Sequence, residues 1–206
     1  VEARDKIVVE ATRLFAANGF DATPLQEIAD AVGIRKASLL YHFPSKDELR
    51  RSVLDTMLSH WNEALPRLLQ AAASGEDQFQ AIVKEMVRFF TTDPDRARLL
   101  VREVLDRPEE TKELIGERIR PWVDIVCDYI RKGQQQGALQ ADADPEAYVV
   151  QVINLVVASV ATYDCIGSLL TPGQRGTDGF DRHVRELMRV AHASLFLAEA
   201  DNARGE

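Results

Sequence analysis

Little in this sequence invites covalent or metal chemistry. Two cysteines, Cys127 and Cys165, stand far apart among 206 residues, which excludes a disulfide scaffold and suits a reducing compartment. Histidine is sparse too, at four residues, and His60, His183 and His192 show no metal-ligand spacing, so no metal and no cofactor are expected. No glycine-rich phosphate loop, Ser/His/Asp set or paired catalytic carboxylates stand out, which argues against an enzyme. Long apolar runs are missing too. The longest, Val149 to Ala161, is interrupted by Gln151, Asn154 and Ser159 and is too short to span a bilayer. With no visible signal peptide, a cytoplasmic protein with no membrane partner is the expectation. The chain opens on Val1 and not Met, so a few native residues are expected ahead of it.

Positive charge is also short. Lys and Arg number 25 against 33 Asp and Glu, a formal net charge of −8, which excludes coating nucleic acid by bulk charge but not a local basic patch. What is present is 46% hydrophobic and 28% charged residues, enough for a packed core. The periodicity is helical from end to end, and no strand-like alternation appears, so the fold class is all-α with about nine helices.

Ile7, Ala11, Leu14 and Phe15 share one face of a first helix that stops at Asn18-Gly19. Thr23-Pro24-Leu25-Gln26 reads as a capping box, Thr23 being the N-cap of a second helix that runs to Val32 and stops at Gly33. A third spans Lys36 to Phe43. Ser45 caps a long fourth, in which Pro66 should kink or end the run. Helix five follows Gly75, Asp93-Pro94 opens helix six, and helix seven lies between about Pro108 and Gln136, bent at Pro121. Asp144-Pro145 starts the eighth, and Phe180 to Leu195 forms the ninth. The segment Thr171 to Gly179 holds three glycines and a proline and reads as the most mobile loop.

Residues 25 to 43 carry the most specific signal. A helix-turn-helix needs a small residue in its first helix, a glycine in the turn and apolar residues that fix the interhelical angle. Ala29 and Gly33 meet the first two needs, and Ile28, Val32, Ile34 and Leu39 the third. The open side of the second helix then offers Arg35, Lys36, Ala37, Ser38, Tyr41 and His42, a polar face suited to a major groove. Charge agrees with this. Residues 33 to 51 hold five basic and two acidic side chains, whereas the acidity gathers beyond residue 50.

The run from Gly33 through Arg35-Lys36-Ala37-Ser38-Leu39-Leu40-Tyr41-His42-Phe43-Pro44 to Leu49, preceded by Leu14-Phe15-Ala16-Ala17-Asn18-Gly19-Phe20, resembles the signature of the TetR family of bacterial transcriptional regulators. The match covers about the first quarter of the chain. The resemblance implies a homodimer whose two N-terminal three-helix units read a palindromic operator on double-stranded DNA, with a C-terminal helical domain that binds a small-molecule effector. It puts Thr23 at a phosphate, Arg35, Lys36, Ala37 and Ser38 near base edges, and Tyr41, His42 and Lys46 on the DNA backbone. Two positions depart from the pattern. Arg35 stands where Ser or Thr usually caps helix three, an omission that costs about 1 kcal/mol, and Leu40 stands where an aromatic usually bonds a phosphate.

Taken singly, Trp61, Phe79, Met86, Phe89, Phe90, Trp122, Val126, Tyr129 and Tyr163 read first as core. The resemblance implies that together they line an effector pocket, with Glu103 and Asn154 among its polar groups. Cys127 reads as a small buried apolar residue.

The eighth helix is apolar on nearly every side, which a helix on a monomer surface cannot be. Val152, Val156 and Val160, with Val184, Leu187, Met188, Ala191 and Leu195 of the ninth helix, are expected to form a two-fold, four-helix interface; a central helix in a monomeric core is the other reading. The organisation is then residues 1–46 as a helix-turn-helix domain and 47–206 as an effector-binding and dimerisation domain. The expected function is a ligand-responsive repressor released by a small apolar or amphipathic effector. The alternative is a helical interaction protein with a degenerate DNA-binding unit.

Overall fold

In the computed structural model, α1 (Ala3–Asn18) turns Ile7, Ala11, Leu14 and Phe15 fully inward and ends at Gly19, whose φ of 84° is the left-handed stop that the Asn-Gly pair predicts. The structure describes residues 3–71, 75–171 and 177–197. Among them it has ten α-helices and one short 3-10 turn, an all-α chain. The head continues with α2 (Leu25–Val32) and α3 (Lys36–His42). Next comes α4 (Lys46–Ala71), which Pro66 does not end, since the helix runs a further turn beyond it.

The body comprises α5 (Gly75–Thr92), α6 (Pro94–Asp106), α7 (Pro108–Arg118), α8 (Arg120–Gln135), α9 (Pro145–Ile166) and α10 (Thr177–Ala193). Asp93 and Asp144 cap as their sequence position predicts, accepting from the backbone N–H of Asp95 and Ala147. The single bent helix expected from Pro108 to Gln136 is two helices. Its break falls at Ile119, and Pro121 sits in the first turn of α8, where its missing N–H is harmless. Of the segment expected to be a mobile loop, residues 172–176 lie outside the described residues.

The apolar core is continuous from head to body. It joins Phe15, Ile28 and Leu39 through Leu49 and Val53 of α4 to Leu99, Ile130 and Val156. The helix α6 packs against both α1 and α9 and so lies between head and body. Behind the turn that follows α8, Leu139 pairs with Phe196, and the Tyr148 hydroxyl donates to the Ala191 carbonyl at 2.7 Å, fastening α9 to α10. Burial pushes the Tyr148 phenol well above its ordinary value, so it stays a donor. With the residues that follow it, α9 is long and apolar enough to cross a membrane by length and composition, longer than its uninterrupted apolar stretch suggests. Here its inner side packs on α5, α6, α8 and α10.

Candidate nucleic-acid interface and effector domain

The turn between α2 and α3 is set by Gly33, at φ 77°, whose N–H bonds to Asp30 O, while Ile34 N–H reaches Ala29 O at 2.9 Å. Ala29 and Leu39 are fully buried, which brings the two helices together and leaves one side of α3 open. On that side Arg35, Lys36, Ala37, Ser38 and Tyr41 are exposed, Tyr41 at 85%, with its ring edge-on to the half-buried His42 at 5.5 Å. Arg35 is the N-cap residue of α3 and its side chain makes no capping bond, as the departure from Ser or Thr predicts.

Two expected DNA contacts are spent elsewhere. Thr23 is fully buried, and its hydroxyl donates to Gly19 O at 2.7 Å and also approaches Leu14 O at 3.3 Å. It staples the α1–α2 turn. Pro24, not Thr23, is the N-cap residue of α2, and Gln26 turns forward to Asp30 at 2.7 Å and closes no capping box. Lys46 donates to Asp21 O at 3.2 Å and lies 4.5 Å over the Phe20 ring. Desolvation first, then nearby Arg107, pulls its pKa down against the lift from Asp21 and Asp47.

The aromatic residues of the body form a cluster, not one chamber. Trp61 meets Phe89 at 5.5 Å and Trp122 at 6.1 Å, and Phe90 packs edge-on to Phe89 at 5.0 Å. Met86 is buried in the same core and Val126 is half-buried against it. Phe79 lies farther along, against Phe196 at 5.2 Å. Tyr129 borders a 740 Å³ cavity shared with Lys132, Leu139 and Phe196; Phe89 borders one of 390 Å³ with Met57 and Arg96; Tyr163 borders one of 220 Å³ with Leu155 and His183. The expected pocket residues thus face three separate spaces or none. Glu103 is buried against Arg50, its carboxylate already paired, and Asn154 is exposed on the outside of α9. One group in the cluster points to a ligand: Trp122 Nε1 is buried and has no hydrogen-bond partner.

Comparison with known proteins closes the argument. Residues 7–53 match the bacterial regulatory proteins of the tetR family, and residues 72–169 the tetracyclin repressor-like C-terminal domain. The transcriptional regulator RutR of Escherichia coli K12 is 30% identical over 158 residues, 74% of this chain and 71% of that one. The chain belongs to the TetR family. It is a DNA-binding transcriptional regulator and not an enzyme. The repressor KstR2 of Mycolicibacterium smegmatis is 26% identical over 175 residues, 81% of this chain and 82% of that protein. Among solved structures, KstR2 of Mycobacterium tuberculosis superposes with a TM-score of 0.74 at 18% identity, covering 96% of each chain. AibR in complex with isovaleryl coenzyme A and operator DNA gives 0.73 at 21% identity, over 92% of this chain and 97% of that one.

TetR-family regulators typically act as dimers, and six of the eight expected interface residues pack inside their own protomer. Val152, Val156 and Val160 are buried inside the protomer, as are Leu187, Ala191 and Leu195, while Val184 and Met188 are half-buried. The cause is that α9 is apolar all round, so periodicity does not separate its inner face from its outer one. Ala147, Gln151, Leu155, Ala158, Ile166 and, beyond the helix, Leu169 make the exposed stripe, beside exposed Val190 of α10.

Proposed function

We propose that this TetR-family regulator is a cytoplasmic homodimeric repressor that holds a palindromic operator through its two α3 helices and lets go when a small apolar or amphipathic effector binds in the body. Residues 1–46 form the reading head, and residues 47–206 the effector-binding and dimerisation domain. The observation that carries this is the open face of α3. Arg35, Lys36 and Ser38 stand exposed at the start of α3, long or polar enough to reach base edges, with Tyr41 beside them for the DNA backbone. The outer stripe of α9, with α10, supplies the two-fold contact and brings the heads about 34–36 Å apart.

The effector reading draws on the tryptophan cluster. An apolar body would have to part the packed rings of Trp61, Phe89 and Trp122, and a hydrogen-bond acceptor on it would meet the orphan Trp122 N–H. That a protein of the same fold is seen with isovaleryl coenzyme A and operator DNA together agrees with one chain serving both partners. A coupling of about 1.4 kcal/mol between the two ligands changes operator affinity tenfold.

Selection of genomic fragments bound by the purified protein tests the operator. A recovered palindrome, with binding lost in Arg35→Ala and Lys36→Ala, is expected. Recovery of no palindrome would leave a helical interaction protein with a degenerate head. Native mass spectrometry of freshly purified protein is expected to reveal a retained small molecule.

A further inference from the structure

The matched N-terminal and C-terminal segments meet at one corner, where α6 turns into α7. Arg107 is the hinge residue of that turn, held in place by Pro108 after it and by the Thr111 hydroxyl, which donates to Glu103 O at 2.9 Å. From the start of α4, just behind the head, Arg50 reaches into the corner. Its Nε donates to Glu103 at 2.7 Å and its Nη1 to Glu110 at 2.7 Å. From the body, Arg107 reaches back, Nη2 to Asp21 of the α1–α2 turn at 3.0 Å and Nη1 to Glu110 at 2.8 Å. One carboxylate, Glu110, is thereby shared between Arg50 of α4 and Arg107, which also grips the head at Asp21.

Phe20 sits in the middle. The guanidinium of Arg107 lies 4.3 Å from its ring centre, Lys46 at 4.5 Å and Arg50 at 5.7 Å. Arg107 Nε is buried without a hydrogen-bond partner, so that guanidinium is held by its two Nη groups and by the ring. Arg102 adds a bond to Ala17 O at 2.9 Å, at the last turn of α1. Apolar packing alone tolerates sliding of one layer on another. A planar guanidinium paired to carboxylates and stacked on a ring has a narrow geometric optimum. Of these pairs only Arg50–Glu103 is buried, while Glu110 and Asp21 are largely exposed, so the network contributes little net stability and acts by selecting one register.

We infer that this corner fixes the angle of each head on its body, with Arg50 and Arg107 as positioning residues for operator binding. The inference rests on the reading of the protein as a dimeric operator-binding regulator. It makes the separation of the two α3 helices depend on Glu110 and Phe20, residues that lie off the open face of α3.

The test is spacing discrimination. Binding is measured to the selected operator and to the same operator with one base pair inserted between its half-sites. Arg107→Ala, at a partly exposed site, is expected to weaken the first about tenfold and the second much less, so that the ratio falls while dimer mass and unfolding midpoint hold. Arg107→Lys, which keeps the cation, is expected to restore most of the ratio. Equal weakening of both operators, or no change, overturns the inference. A second arm needs no DNA. Spin labels on Ser38→Cys and Lys84→Cys in a Cys165→Ser background, diluted with unlabelled chains, report the head-to-body distance. Arg107→Ala and Glu110→Gln are expected to broaden it, and an unchanged width overturns the inference. If the wild-type protein selects no operator, the regulator reading fails, and the second arm still decides the corner.

Discussion

Arg50 and Glu103, 53 positions apart in the chain, form an ion pair in which the arginine is 8% and the glutamate 3% exposed. Removing Arg50 strands the Glu103 charge in the interior, whereas removing Glu103 leaves Arg50 its bond to Glu110. Arg50→Ala is expected to lower the unfolding free energy by about 3–5 kcal/mol, and Glu103→Ala by less. Replacing both with apolar residues of similar volume should cost far less. Urea denaturation of the two single variants and the double variant checks this.

Thr23 separates a structural role from a DNA-binding one. Thr23→Ala is expected to cost about 1 kcal/mol of stability through its lost hydrogen bonds and to leave the salt dependence of operator binding unchanged. Lys36→Ala should do the opposite, weakening operator binding by about 1–3 kcal/mol if it reads a base edge, with no loss of stability. Fluorescence anisotropy over a salt series distinguishes them.

The two faces of α9 should answer differently to the same kind of substitution. Leu155→Glu, on the exposed stripe, is expected to yield a folded monomer. Val156→Asp buries a charge inside the protomer and is expected to unfold it. Sedimentation with circular dichroism reads both outcomes; an intact Leu155→Glu dimer would reject that stripe as the interface.

Glu85 should shape the acid limb of stability. The hydrogen bond from Arg88, and after it that from His60 at 2.8 Å, hold its carboxyl below the usual carboxylate value against the effect of burial. Its contribution is therefore full above the unfolded carboxylate value and fades as pH falls through the lower folded one. Glu85→Gln is expected to lose stability at neutral pH and to show a flatter decline on acidification, measured as unfolding midpoints from about pH 7 down to about pH 3.

The sequence makes the head legible because its signals are local. Gly19 and Gly33 mark left-handed stops, Ala29 marks a close approach, and the order of charges along α3 is the order on its surface. The body is legible as helices, with caps at Asp93 and Asp144, because 3.6-residue periodicity and capping are also local. What is hidden is what each helix faces. Thr23 reads as a cap in sequence and is a staple in space. Glu103 reads as a ligand-binding acid and is paired with Arg50 of α4. The apolar ring of α9 does not announce which side its own protomer takes. A sharper signal for the corner exists only in retrospect: Phe20 is the one aromatic ring in the turn from Gly19 to Pro24.

The length of α4 gives the corner a mechanical meaning. At about 1.5 Å per residue, Arg50 lies about 6 Å from the head end of that helix, and Trp61 about 16 Å beyond Arg50 on the other side. A helix pinned at Arg50 is a lever with its fulcrum beside the load, so a sideways push of 1 Å at Trp61 arrives at the head as only about 0.4 Å. An effector at the tryptophan cluster would therefore have to shift the fulcrum as well as tilt α4 to move the reading heads.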